Sequence, residues 1–160
     1  MLTMIREKEY YLTEQGLIKL KAEYQYLKKL KSTKMMGEVP NVWHSEDLNP
    51  EYLSFQEDVG FLEVRLIDLG KILRDVRLIK TPPKEKRDVI DLGATVLVEV
   101  DGQKDEFTIV GSLEANPSAG KISNESPVGK ALLGHRTGDE IIISSPIQVA
   151  YKIRKITYLS

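Results

Sequence analysis

The sequence predicts an α+β chain in two parts: an N-terminal antiparallel two-helix coiled-coil hairpin, then a domain built from an antiparallel sheet and one short helix. Three observations carry this. Apolar residues recur at helical spacing through the first half and alternate with polar ones through much of the second, and the Pro-rich, charged stretch T-P-P-K-E-K-R from Thr81 separates the two patterns. The expected division is a hairpin over residues 1–80, a linker over 81–88 and the sheet domain over 89–160.

The first helix is announced by Thr13, a residue type that caps, followed by Glu14 and Gln15 in the electropositive first turn. Leu17, Leu20, Tyr24, Leu27 and Leu30 then form one apolar face, and Lys19, Lys21, Lys28, Lys29, Lys31 and Lys34 occupy the others. Gly37 and Pro40 end it. The second helix opens on Asn49-Pro50-Glu51, an N-cap, a first-position proline and a first-turn acid. Tyr52, Phe55, Val59, Leu62, Leu66, Leu69, Leu73 and Val76 keep an unbroken three-four alternation, the pattern of a coiled-coil seam. A helix of about 30 residues runs roughly 45 Å at ~1.5 Å per residue, so the pair is expected to stand as a rod. Gly60 and Gly70 interrupt the second helix at a cost of about 1 kcal/mol each against Ala.

The far end of that rod, residues 42–52, reads V-W-H-S-E-D-L-N-P-E-Y. Between Lys34 and Arg65 there is no Lys or Arg, while Glu38, Glu46, Asp47, Glu51, Glu57, Asp58 and Glu63 all fall there. Such a block is self-repelling. A solvated loop is its bland reading. The sharper one is that Glu46, Asp47 and Glu51 supply one or two oxygen ligands to Mg²⁺, which takes a few carboxylates together with water and phosphates. They do not complete a cage, so the end of the rod is suited to finishing a site that another molecule provides. His44 reads as a loop residue, and Trp43 as a staple or an aromatic anchor.

In the second half, residues 94–100 form a strand that Asp101-Gly102 turns into a second at 106–110, a hairpin signal. Residues 140–144 and 149–156 are two more strands. Between the pairs, Ser126 caps a short helix with Pro127 at its first position and Gly134 at its end. His135, in G-H-R-T-G-D, reads as a polar turn residue.

Composition narrows the function. The chain has 160 residues, 29% of them charged, and a formal net charge of -1, which argues against a general binder of nucleic acid or anionic membrane. Cysteine is absent, removing disulfides, thiolate metal sites and a cysteine nucleophile. No apolar run suits a membrane span and the N-terminus does not read as a signal peptide, so a cytoplasmic protein that makes no membrane contact is expected. A phosphate-cradling Gly-rich loop, G-x-S-x-G and H-E-x-x-H are all missing.

The whole chain resembles the Gre-type bacterial transcript cleavage factors, the GreA/GreB family. The resemblance rests on L-T-E-Q-G-L-I-K-L near Leu12, N-P-E-Y followed by G-F-L-E-V-R-L from Gly60, L-G-A-T-V from Leu92, and N-E-S-P-V-G-K-A-L-L-G-H-R-T-G-D from Asn124. It implies that the C-terminal domain is FKBP-like and that the protein is a monomeric accessory factor rather than an enzyme. Its partner would be bacterial RNA polymerase, with contact to the RNA 3′ end, and to nucleic acid generally, made only through the polymerase. The hairpin would pass through the secondary channel and the tip acids would help hold a Mg²⁺ belonging to the polymerase active site, with no cofactor of the factor's own. Cleavage of backtracked RNA would follow by a two-metal displacement.

Residue by residue, the resemblance places polymerase contact at Glu125, Ser126 and Pro127. At the tip this chain departs from the family pattern G-D-L-x-E-N-A-E-Y, being two residues shorter before the shared Tyr52. Aligning Asp47-Leu48 with the family D-L removes the second acid, and aligning back from Tyr52 without a gap puts Ser45 and Leu48 at the acidic positions. Asp47 is therefore the first assignment for both catalysis and shared metal, Glu46 the second, and Glu51 the third, for catalysis alone. The altered tip supports an alternative, a non-catalytic regulator that occupies the channel and inhibits or modulates the polymerase. A prolyl isomerase is a third reading, disfavoured because Phe107, Tyr151 and Tyr158 are the only aromatics after Phe61.

Overall fold

A computed structural model describes residues 8–37, 50–144 and 147–159. The chain divides into two compact units, Leu17–Asp75 on one hand and Met1–Gly16 with Val76–Ser160 on the other. Residues 81–88, expected as the linker, lie inside the second unit, where Lys84–Lys86 form a 3-10 turn. The boundary falls earlier because Val76–Leu78 (β2) pairs in parallel with Tyr10–Leu12 (β1), tying both ends of the helical segment to the sheet unit. The pairing also corrects the end of the second helix: Val76, the last member of the seam pattern, is a strand residue.

The helical unit follows its sequence pattern. Helix α1 spans Glu14–Met36 and α2 spans Pro50–Arg74. On α2, every seam residue from Tyr52 to Leu73 is buried or half-buried, with Val59, Leu69 and Ile72 the most enclosed. Leu17, Leu20, Tyr24 and Leu27 are half-buried on α1, but no α1 residue is fully buried and Leu30 is exposed. Ion pairs bridge the two helices from Glu23 to Lys34. Lys31 Nζ lies 3.2 Å from Glu63 Oε1, Lys34 pairs with Asp58, and Arg65 Nη2 lies 2.8 Å from Glu23 Oε1. Residue numbers rise on one helix as they fall on the other, which makes the pair antiparallel.

The sheet unit holds five strands in the order β5-β4-β3-β7-β6: Ala94–Val100 (β3), Gln103–Val110 (β4), Lys121–Ser123 (β5), Glu140–Ser144 (β6) and Gln148–Tyr158 (β7). The expectation of a purely antiparallel sheet is corrected at one edge, since β5 runs parallel to β4. Asp101 and Gly102 both take positive φ, 50° and 80°, as the two-residue turn between β3 and β4 requires. Ala94, Val96 and Val98 face inward and are fully enclosed, joined in the core by Ile90, Ile109, Ile122, Leu132, Ile141 and Ile153.

β7 shows how the sequence handles a conflict of period. Val149, Tyr151 and Ile153 share one face, but Ile156 and Tyr158, which also pack on the core, are out of phase with them. A register shift resolves it: Leu97 pairs with Lys155 and Val98 with Ile153, leaving Arg154 as the extra residue of a β-bulge. On the opposite face Glu140, Lys152, Glu99 and Lys104 are successive cross-strand partners on β6, β7, β3 and β4, a row of alternating charge. The three late aromatics are committed to the fold, since Phe107, Tyr151 and Tyr158 all pack against the core. Tyr158 donates from its hydroxyl to the Val89 carbonyl at 2.5 Å and accepts from the Asp91 N–H at 2.9 Å. Burial holds its phenol above the usual tyrosine value.

Candidate functional site

The structure divides the acidic run between Lys34 and Arg65 into groups with different work. Asp58 and Glu63 are partners of Lys34 and Lys31, so they belong to the hairpin's own cohesion. Glu46 and Asp47, the first two site assignments, lie outside the described residues, as do His44 and Trp43. Glu51 is described: it is exposed in the first turn of α2, one residue after Pro50. A carboxylate there is stabilised by the unpaired N–H groups and partial positive charge of a helix start. Among the described residues no group of three or more His, Cys, Asp or Glu is placed to hold a metal ion.

The second candidate is built from Ser123 to Gly129. Helix α3 spans Pro127–Leu132, and Ser126 caps it as expected, accepting from the Gly129 N–H at 3.1 Å while donating to the Ser123 carbonyl at 2.6 Å. The Ser126 N–H donates to that same carbonyl at 3.0 Å. Gly129 is required there, because a Cβ would sit 2.0 Å from the Ser123 oxygen. The Glu125 N–H donates to Ser123 Oγ at 3.0 Å. With its backbone held and its side chain exposed, Glu125 stands beside exposed Pro127 on a rigid corner. Nearby in sequence, Asp139 accepts from the Arg136 N–H at 2.9 Å and contacts His135 Nδ1 at 3.2 Å. Those contacts, the Arg136 N–H foremost, hold its carboxyl below the ordinary value. His135 is thus a turn residue, as its sequence setting indicates.

What sequence reasoning missed is Glu114. It ends the 3-10 turn Ser112–Glu114, and both of its oxygens accept from Thr13, Oε2 from the backbone N–H at 2.7 Å and Oε1 from the hydroxyl at 2.6 Å. Thr13 Oγ1 in turn accepts from the Gly16 N–H at 3.0 Å. The local sequence predicts the Thr13 cap but carries no signal for a carboxylate 101 positions away.

The described residues thus form an antiparallel helix pair and a small mixed sheet that carries a capped corner at Ser126. The comparisons give the family. Residues 10–78 match the N-terminal domain of the family described as "Transcription elongation factor". Residues 84–158 match its C-terminal domain, described as "Transcription elongation factor, GreA/GreB, C-term". The chain is 41% identical over 137 residues to the transcription elongation factor GreA of Thermomicrobium roseum, covering 84% of this chain and 88% of that protein. It is 38% identical over 159 residues to that of Bacillus licheniformis, covering 96% and 100%. Among solved structures it is similar to the GreA factor homolog 1 of Thermus thermophilus, at 26% identity and a TM-score of 0.41, covering 94% of this chain and 99% of that one. The chain belongs to the GreA/GreB family of transcription elongation factors.

Proposed function

We propose that this protein binds bacterial RNA polymerase and inserts the end of its hairpin through the secondary channel, where Asp47 and Glu46 stimulate Mg²⁺-dependent cleavage of backtracked RNA 3′ ends. The observation that carries it is that family membership spans both units, while the two helices that bracket residues 38–49 are held to each other by their own seam and ion pairs. The chemistry remains the polymerase's, and this chain is an accessory factor rather than an enzyme.

The residues present fit a shared Mg²⁺. Adjacent Glu46 and Asp47 offer the hard oxygen donors that ion prefers, in too small a number to hold it alone. When bound, the ion would supply a Lewis acid and an activated water. What this chain contributes is placement of carboxylates, with Glu51 adding negative charge at the start of α2. In the sheet unit, Glu125, Ser126 and Pro127 provide the docking corner, its backbone fixed by the Ser123 bonds.

A backtracked polymerase complex with Mg²⁺ tests the reading. Wild-type protein should accelerate cleavage, and Asp47→Ala with Glu46→Ala should remove at least tenfold of the acceleration. Undiminished cleavage by that variant would overturn the assignment. The shortened tip favours one other outcome: slowed nucleotide addition without cleavage would make the protein a non-catalytic regulator of the channel.

A further inference from the structure

A capping box needs two reciprocal contacts. The N-cap side chain accepts from the N–H three residues on, and an acid or amide at that third position reaches back to the N-cap N–H. In α1 the first half is present, with Thr13 accepting from Gly16. The second half cannot be made locally, because the third position is Gly16 and has no side chain.

Glu114 makes it instead. Its carboxylate takes the Thr13 N–H and the Thr13 hydroxyl together, so the cap that starts α1 is completed from the turn that follows β4. Two glycines make room. A Cβ on Gly16 would sit 2.3 Å from Glu114 Oε1, and a Cβ on Gly111 would sit 2.0 Å from the Tyr11 carbonyl oxygen. The close approach of residues 11–16 to residues 111–114 is therefore built in on both sides. Glu114 is half-buried, and among the described residues no cation pairs with it, so its charge is matched by the Thr13 donors and the positive end of the helix. All of these groups lie within one unit, whose N-terminal segment ends at Gly16, where α1 passes into the coiled coil.

We propose that Glu114 is a positioning residue for the action on polymerase: acting through Thr13, it locks the first turn of α1 to the sheet unit, and cleavage stimulation depends on that lock. The proposal rests on the function proposed above. It requires the geometry of two contacts rather than a negative charge. An amide at the same place satisfies both, its oxygen accepting from the Thr13 N–H and its nitrogen donating to Thr13 Oγ1.

The test uses full-length wild-type protein, Glu114→Ala and Glu114→Gln, read by amide hydrogen exchange and by cleavage in backtracked complexes. In Glu114→Ala, exchange at the Thr13 and Gly16 amides should rise at least tenfold while the Gly93 amide, bonded to the Ile109 carbonyl, stays within twofold. Its maximal cleavage rate should fall at least threefold with little change in the half-saturating concentration. Glu114→Gln should keep at least half of the maximal rate.

Unchanged exchange at Thr13 and Gly16 would overturn the lock, and a rise spread evenly over the sheet unit would reduce Glu114 to a general stabiliser. Faster exchange with an unchanged maximal rate would overturn the positioning role, as would a Glu114→Gln variant no better than Glu114→Ala. Wild-type protein without cleavage activity would overturn the proposed function instead, and the exchange data would still uphold or overturn the lock on their own.

Discussion

The two units are held together by different means. In Val76–Ser160 a closed set of aliphatic side chains is removed from water, with Ala94, Val96, Val98, Ile109 and Leu132 all at 0% exposure. In Leu17–Asp75 the seam is mostly half-buried, α1 encloses no residue fully, and ion pairs bridge the two helices beside it. Long side chains such as Lys31 and Lys34 can lie along apolar surface while their charged ends reach acids, and here those ends reach Glu63 and Asp58 on α2. The hairpin leaves large apolar side chains in water, with Phe61 at 74%, Val64 at 60% and Ile67 at 58% exposure.

Truncation should separate the two most sharply. Ile109→Ala removes a fully enclosed side chain and should cost about 2–5 kcal/mol, the range for such cavities. Leu62→Ala, at a half-buried seam position, should cost about 1–2 kcal/mol, because less of the side chain leaves water on folding. Urea unfolding of both variants checks this, and equal losses would mean the hairpin is packed as tightly as the sheet.

Legibility in the sequence follows the same divide. Period is visible wherever one element buries one face, so the α2 seam, the β3–β4 turn at Asp101-Gly102 and the Ser126 cap all stand where the residues indicate. What escaped was short or distant. β1, β2 and β5 have three residues each, too few to establish an alternation. Glu114 acts across the chain. The fates of Asp58 and Glu63 depend on which α1 lysines face them, and that is set by register rather than by composition. The Arg154 bulge was in principle readable, because Ile153 and Ile156 cannot share a face of a regular strand.

A smaller effect, of opposite sign, sharpens the picture of the hairpin. Gly60 lies inside α2, and among the described residues nothing stands within 4 Å of where its Cβ would be. No close approach calls for glycine there. Gly60→Ala should therefore stabilise the helix by about 0.5–1 kcal/mol through the lower entropy of the unfolded chain and better helix propensity. Thermal unfolding followed by circular dichroism at the helical band would register it as a rise in midpoint. A fall would show that the position needs to bend.

The smallest expected effect concerns the ion pairs. Arg65 donates from Nε to Glu23 Oε1 at 2.8 Å and its Nη2 lies at the same distance from that oxygen, a forked contact that holds the guanidinium above its usual value. Both side chains are more than a third exposed, at 48% and 38%, so solvent screens the attraction. A double-mutant cycle with Glu23→Gln and Arg65→Gln should give a coupling of about 0.2–1 kcal/mol at low salt, shrinking as salt is raised. Lys31–Glu63 and Lys34–Asp58 should behave alike, since their partners are similarly placed on the seam. If the three couplings are this small, the hairpin's cohesion lies in the stems and leucines, and the charges serve to fix which residues face each other. A coupling well above that range, insensitive to salt, would instead make the ion pairs as strong a bond as the apolar seam.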